Sequence, residues 1–431
     1  MAAPLSLEEA QRLLLSGLKP PGKVKIELKK AAGRVLAAPV VAPQPFPPFP
    51  RSLVDGYALG PLPINGGSDV VPGPGGPAAP NLDHPDSPRE RDTREPWLAY
   101  RVAATIAAGS KMTVSLGPGT AATIFTGARP PEGTVAIIPR EQVEVQGGLI
   151  RAPQPAVGKY LEPVGAEVRA GEEVLAAGTC LGPAEVGLLA ALGLAQVTVY
   201  RRPVVAVAGS GSELLALNGA PAPEQGEAPR IYNSNFYALA AAVTAAGGEV
   251  LPVGPVADDL EEQVRLYQEA LAEADLLLTT GGAGGSARDL TAAAFAAAGG
   301  EVMFTEVAIR PGRRVIAARQ GAKLLLGLPG NPPAALVACY LLAVPVIKAL
   351  GGREAAPAVF PAVLTSALDK IRTERSFIWA RVRATAAGWE AAPLSRRPGG
   401  IRAAISANAL IDVPPGCIPL PGEAVTVIFM G

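Results

Sequence analysis

The chain has 431 residues, and 38 Lys and Arg balance 38 Asp and Glu, so no overall field draws it toward nucleic acid or an anionic membrane. That length exceeds one ordinary core and implies about two to four domains. With 49 Gly and 45 Pro in a sequence that is 49% hydrophobic, it is too apolar for a disordered chain and too loop-rich for a helical bundle. Cys180, Cys339 and Cys417 stand far apart. They form no zinc knuckle and no disulfide framework, so a reducing compartment is expected. The single histidine, His84, excludes His-based zinc sites and argues against a Ser-His-Asp triad. No charged-then-apolar leader pattern opens the chain. The longest uncharged runs, 231–248 and 334–347, contain Pro, Gly or Asn and do not read as membrane spans. A cytoplasmic protein is the expectation.

Residues 5–18 read as a helix, with Ser6 and Glu9 spaced as a capping box. Residues 40–50 form a proline-studded extended strap. The stretch 60–96 is poor in large apolar residues and reads as an insertion; its Asp83-His84-Pro85-Asp86 cluster reads as solvated loop, because metal sites need rigid support. Short strands are expected at 99–105, 121–125, 134–139 and 142–151, making a small β module. An apolar helix over 183–192 stops at Gly193. From residue 204 strands and helices alternate: strands at 204–208, 250–256, 276–280 and 323–328, helices at 235–246, 259–274, to Ala298, and 332–350. Continuous apolar strands alternating with helices imply a parallel sheet covered on both faces. Residues 356–431 return to strands and turns. The expected organisation includes a small β domain at 51–152 carrying the 60–96 insertion, an α/β domain at 203–352, and a C-terminal β module at 353–431.

In such a sheet ligands bind at the carboxyl ends of the strands. Three of these ends carry unusual residues: Gly209-Ser210-Gly211-Ser212-Glu213; Gly281-Gly282-Ala283-Gly284-Gly285-Ser286, followed by Asp289; and Gly327-Leu328-Pro329-Gly330-Asn331-Pro332. Glycine lets the backbone approach a phosphate, and its N–H groups with a helix N-terminus hold the anion. Glu213 and Asp289 are carboxylates suited to Mg²⁺ beside a phosphate, and Asp258 closes a fourth strand end. The triplet points to an anion or nucleotide site. Gly282-x-Gly284-x-x-Ala287 formally matches a dinucleotide turn with Glu306 beyond it, but it follows the third strand of the unit, whereas that fingerprint belongs on the first.

These loops resemble those of the MoeA family and its eukaryotic relative, the gephyrin E domain. The likeness extends to Ser52-Leu53-Val54-Asp55-Gly56-Tyr57-Ala58, to Thr126-Gly127-Ala128-Arg129-Pro130-Pro131-Glu132-Gly133, to Gly165-Ala166-Glu167 through Gly171, to Ile309-Arg310-Pro311-Gly312, and to Pro421-Gly422-Glu423-Ala424-Val425. It covers nearly the whole chain in order. The fold it implies is α/β multidomain: a parallel-sheet, MogA/MoaB-like α/β domain, an elongated linker and dimerisation region made of 1–50 plus 153–202, a small β module and a C-terminal barrel-like module. The activity it implies is molybdenum cofactor biosynthesis by a molybdopterin molybdenumtransferase: Mg²⁺-dependent insertion of molybdate into adenylylated molybdopterin, releasing AMP. By motif match, Glu213, Asp258 and Asp289 are the acidic residues of the nucleotide and Mg²⁺ site. Glu167 is a further metal candidate, and Gly281, Gly282, Gly284, Ser286, Arg310, Pro311, Gly312, Gly330 and Asn331 are binding residues. Asp55 and Thr126 are expected to act from the partner subunit of a homodimer. Handover to a molybdopterin adenylyltransferase or to molybdoenzymes is a further implied partnership.

Several positions depart from the family pattern. Ser212 stands where the family has an acid, Gly284 and Ser286 exchange character, and Glu306 replaces a cation expected to face an oxyanion, with Arg313 and Arg314 nearby to compensate. Residues 398–404 lack the family's serines, and Arg375 or Arg381 is a candidate replacement cation. These departures leave open a diverged paralogue that binds pterin nucleotide or a protein partner without efficient insertion.

Overall fold

The computed structural model describes residues 3–62, 97–111, 113–153, 156–217, 230–281, 285–368, 373–394 and 401–430, with only the backbone at 285–289. The chain divides into two compact units. The first comprises Met1–Ala38, Ala177–Val186 and Ala195–Gly431, and the second Pro39–Ala176 and Gly187–Leu194.

The first unit opens with α1 (Leu7–Leu15). Its expected capping box is present: the Ser6 hydroxyl accepts from the Glu9 N–H, and the Glu9 carboxylate accepts from the Ser6 N–H. Leu7, Ala10 and Leu14 are buried, the i, i+3, i+7 spacing of one helix face. The α/β elements follow as β1 (Val204–Ser210), α2 (Ser234–Ala245), β2 (Glu249–Val256), α3 (Leu260–Glu273), β3 (Leu276–Thr280), α4 (Gly285–Ala297), β4 (Glu301–Phe304), β5 (Ile316–Gln320), β6 (Lys323–Leu328) and a last helix, α5 (Pro332–Leu350). The strands lie in the order β2-β1-β3-β6-β5-β4.

Side chains alternate across this sheet. Val205, Val207, Leu276, Leu278, Leu324 and Leu326 join one core with α1, α2 and α5. Ala206, Ala208, Leu277 and Leu325 join the other. There the small alanines leave room for Tyr267 of α3 and Phe295 of α4, whose rings meet edge to face at 5.9 Å, large against small as close packing demands. The helix α5 is long and apolar enough to cross a membrane by length and composition, yet most of it is buried inside the fold, as befits a core helix.

Two features depart from the sequence reading. β1, β2, β3 and β6 pair in parallel, but β4 and β5 add an antiparallel edge. A two-residue turn at Gly321-Ala322 joins β5 to β6, and only antiparallel strands can be joined so tightly. The expected strand over 142–151 is instead a hairpin, Glu144–Gln146 with Leu149–Pro153, turning at Gly147-Gly148.

The first unit ends in a closed barrel, β7 (Val359–Leu364), β8 (Ser376–Thr385), β9 (Gly388–Pro393), β10 (Ala409–Val413) and β11 (Ala424–Phe429), in the order β7-β9-β8-β10-β11. Phe377, Trp379, Leu410 and Ile428 of the barrel share the core of α1 and α5. Arg375 ties these parts together polarly. It grips Asp412 through two hydrogen bonds, 2.9 and 2.6 Å, and reaches Glu8 at 2.6 Å. It is therefore a structural clasp, not the spare cation expected beside 398–404; residues 398–400 lie outside the described residues. The Arg375 contact also holds the Glu8 carboxyl below its usual range.

In the second unit a six-stranded sheet runs in the order 136–139, 56–59, 120–124, 97–106, 149–153, 144–146. From residue 63 the 60–96 insertion, with His84, lies outside the described residues.

Core and surface leucines should separate cleanly in denaturant. Leu326→Ala, at 0% exposure, should cost about 2–5 kcal/mol. Leu420→Ala, at 59% exposure, should stay within about 0.5 kcal/mol. Urea unfolding of the two variants checks this.

Candidate active site

Parallel pairing sets Gly209 opposite Thr280, and Thr280 opposite Leu328. The three loops named from the sequence therefore leave the sheet side by side. Their close approach depends on missing side chains. A Cβ at Gly281, where φ is +106°, would lie 1.9 Å from the Ser210 carbonyl oxygen, and one at Gly209 would lie 2.3 Å from the Asn233 amide. No other residue fits either place without moving backbone or a helix cap.

Polar groups buried beneath the loops brace them. The Ser210 hydroxyl and the Tyr267 phenol share a hydrogen bond at 3.2 Å. Burial pushes the Tyr267 phenol up, against the opposing bonds to Ser210 and Thr279. Asn233 caps α2 by accepting from the Phe236 N–H at 3.1 Å. Asn235 donates to the Gly330 carbonyl at 2.8 Å, tying the first turn of α2 to the third loop. These residues were not singled out from the sequence. The signal was available: Asn233-Ser234-Asn235 ahead of an apolar helical run is an N-cap pattern.

Glu213 follows the first loop and is exposed. Its carbonyl accepts from Ile231 N–H at 2.9 Å, where Leu214–Leu215 pairs with Ile231–Tyr232. Its carboxylate folds over Gly211, its oxygens 2.6 and 2.8 Å from where a Cβ there would lie. Asp258 is exposed at the end of β2, next to Asp259, which caps α3. Asn331 is exposed at the start of α5, and its side chain makes no capping bond, so its amide is free to meet a ligand. Gly282 and Gly284 lie outside the described residues. Ser286 and Asp289 fall in the first turns of α4, where only the backbone is described.

The Arg310-Pro311-Gly312 segment lies against the start of β8: Arg310 N–H donates to Arg375 O, and Phe377 N–H to Arg310 O. The Arg310 guanidinium donates to Glu374 at 2.8 Å, Arg313 donates to the other Glu374 oxygen at 2.8 Å, and Arg313 also reaches Glu306 at 3.1 Å. Glu306 is thus matched by a cation, as the sequence analysis anticipated for Arg313. These carboxylates hold the Arg313 guanidinium above its usual range.

In the second unit Asp55 and Thr126 meet. One Asp55 oxygen accepts from both the Thr126 N–H and its hydroxyl, each at 2.8 Å, and these bonds hold the Asp55 carboxyl below the usual aspartate range. Both residues are exposed. Glu167 is elsewhere in that unit, paired to Arg51 at 2.8 Å, while Glu162 takes the same guanidinium from another side. Among the described residues no group of three or more His, Cys, Asp or Glu is arranged to hold a metal. Burial pushes the Cys339 thiol up to about 12, so it is protonated and inert at neutral pH.

Comparison with known proteins decides the family. The MoeA N-terminal region (domain I and II) matches residues 5–193, a probable molybdopterin binding domain matches 206–349, and the MoeA C-terminal region (domain IV) matches 361–430. Molybdopterin molybdenumtransferase 2 of Mycobacterium tuberculosis H37Rv is 33% identical over 420 residues, 95% of each chain. The chain belongs to the molybdopterin molybdenumtransferase (MoeA) family. The molybdopterin molybdenumtransferase of Staphylococcus aureus Mu50 is 28% identical over 416 residues, 96% of this chain and 92% of the relative. The fold agrees with that of a molybdopterin biosynthesis MoeA protein of Pyrococcus horikosii, at a TM-score of 0.76 and 28% identity over the full length of both. The second matched region of this MoeA-family chain contains all three strand-end loops.

The Asp55–Thr126 contact can be read in solution. Thr126→Val removes the hydroxyl donor and keeps the N–H, so the Asp55 carboxyl should titrate at higher pH than in the parent chain while staying below the ordinary aspartate range. Carboxyl-carbon NMR titration of the two proteins checks this.

Proposed function

We propose that the chain is a molybdopterin molybdenumtransferase that binds adenylylated molybdopterin across the loops at Gly211–Glu213, Gly281 and Gly330–Asn331, takes up molybdate as second substrate, and releases AMP. The observation that carries this reading is the alignment of Gly209, Thr280 and Leu328, which opens three glycine-containing loops along one edge of a domain whose family binds molybdopterin.

Each part of the chain has a distinct task. Bare backbone at Gly281 lets the substrate's phosphates approach the strand ends closely. At α5 the first two helical residues are Pro332 and Pro333, which carry no N–H, so the third loop offers the Gly330 and Asn331 N–H groups and the Asn331 amide in place of a full helix N-terminus. Asn235 holds that loop still through Gly330. Cleavage that releases AMP needs positioning and charge neutralisation more than acid–base machinery.

The donor set at the loops suits Mg²⁺. Glu213 and Asp258 are exposed hard-oxygen ligands with no ion pair among the described residues, and Mg²⁺ is commonly held by one or two carboxylates plus substrate phosphates. Glu213, Asp289 and Asp258 would hold it, and bound there it would neutralise charge on the phosphates. Glu167 is the weakest member of the expected set, because its carboxylate already serves Arg51. Gly282, Gly284 and Ser286 belong to the second loop on motif match alone, and Arg310, Pro311 and Gly312 to the rim.

Asp55, ionised and held by Thr126, acts with it on the substrate from a second copy of the chain in a homodimer. The enzyme works in the cytoplasm and passes its product to molybdoenzymes, receiving substrate from a molybdopterin adenylyltransferase. The competing reading, a binding protein without insertion activity, rests on the departures at Ser212, Gly284, Glu306 and 398–404; the pairing of Glu306 with Arg313 answers one of them.

Purified protein incubated with adenylylated molybdopterin, molybdate and Mg²⁺ should release AMP. Glu213→Ala and Asp289→Ala should each abolish that release; Glu213→Ala, at an exposed position, should change stability by no more than about 0.5 kcal/mol. Full turnover in either variant would remove that carboxylate from the site. A monomeric mass at micromolar concentration would contradict the homodimer.

A further inference from the structure

At the opposite end of the α/β sheet from the strand-end loops, a recess is lined among others by Arg34, Arg201, Arg202, Arg353, Tyr200 and Gly247. Val204 and Glu249, the first residues of β1 and β2, follow directly on its walls. The seven residues of β1 put the two ends roughly 20 Å apart, so the recess is separate from the candidate active site.

The charges in it do not cancel. Arg201 is answered by Asp275 at 2.8 Å, whose other oxygen accepts from the Val204 N–H at 2.7 Å. No carboxylate pairs with Arg34, Arg202 or Arg353 among the described residues. Arg34 donates to the Tyr200 carbonyl at 2.8 Å, and Arg353 to the Gly33 carbonyl. Each guanidinium carries five N–H donors, so one bond apiece to a neutral carbonyl leaves most donors and all the charge unmet. Burial, together with repulsion from Arg202 and Arg353, pushes the Arg34 guanidinium down, the signature of crowded positive charge. The recess is also shaped. Gly247 follows α2 at a φ of +93°, and a Cβ there would sit 3.2 Å from the Arg353 guanidinium carbon, so the bare glycine gives that guanidinium room against the chain.

We infer that this recess binds a tetrahedral dianionic oxyanion, either a free inorganic ion or the terminal phosphate of a phosphomonoester, held between Arg34, Arg202 and Arg353. The recess is small, with room for an ion or a terminal group and not for a whole nucleotide. Guanidinium forks match such oxyanions with paired, charge-assisted hydrogen bonds, and a dianion here would offset two of the three positive charges the fold leaves uncompensated.

The test is calorimetric titration of the full chain with inorganic phosphate at low ionic strength. The parent protein should bind phosphate, and Arg202→Gln should weaken that binding by about tenfold or more. Arg202 is exposed and its side chain supports no other contact among the described residues, so this variant keeps the fold; thermal melting verifies it. Arg202→Lys should restore part of the affinity. Glu213→Ala should leave this binding unchanged, which distinguishes it from phosphate at the strand-end loops. In a competition arm, displacement by AMP assigns a phosphomonoester terminus, and displacement by sulfate but not AMP assigns the free ion. Phosphate binding equal in the parent and Arg202→Gln, or none up to millimolar concentration, would overturn the proposal.

Discussion

The close approach of β1 and β3 at their carboxyl ends is the constraint on which the candidate site depends. Gly281 sits where any side chain would strike the Ser210 carbonyl, and Gly209 where one would strike Asn233. The missing side chain at Gly281 thus lets β1 and β3 finish level with each other, the one at Gly209 makes room for the α2 cap against β1, and β6 finishes beside them. Larger residues would splay the loops and lose the shared edge. The buried Ser210–Tyr267 bond and the Asn235–Gly330 bond then hold in place what the glycines allow. Such buried polar groups are costly unless partnered, so their presence under the loops marks positions where local order matters more than apolar packing.

Around this edge the first unit spends its charged residues on fastening. Arg375 joins α1 to the barrel through Glu8 and Asp412, and Glu374 bridges Arg310 and Arg313 beside Glu306. Through these networks a chain of zero net charge fixes the guanidinium groups of Arg310 and Arg313 by the carboxylates beside them. Among the described residues no such carboxylate serves the recess lined by Arg34, Arg202 and Arg353, and it therefore stands out as a place that an external anion would complete.

Much of this was legible in the sequence because it rests on local signals. Continuous apolar runs such as Val204–Ala208 marked the buried strands, the Ser6–Glu9 spacing marked a helix start, and glycine clusters after three strands marked the loops. What escaped was set by contacts distant along the chain. The antiparallel edge at 301–304 and 316–320 carries no periodic signature of its own and is dictated by the tight turn at Gly321-Ala322. The Arg375 clasp depends on residues at positions 8 and 412, and no spacing rule links them. Glu167 matched a motif, yet its partner Arg51 lies more than a hundred residues away, so the sequence carried its chemistry without its occupation. Asp55 and Thr126 read as separate motifs, and the structure joins them in one hydrogen-bonded pair.

The central claim is that substrate lies along the edge formed by the ends of β1, β3 and β6. A crystal structure of the protein soaked with AMP, the released product, tests it most directly. The account predicts the AMP phosphate against the Gly281 backbone, within hydrogen-bond reach of the Gly330–Asn331 loop and beside Glu213. An AMP molecule bound well away from these loops, with the loops themselves empty at saturating concentration, would contradict it.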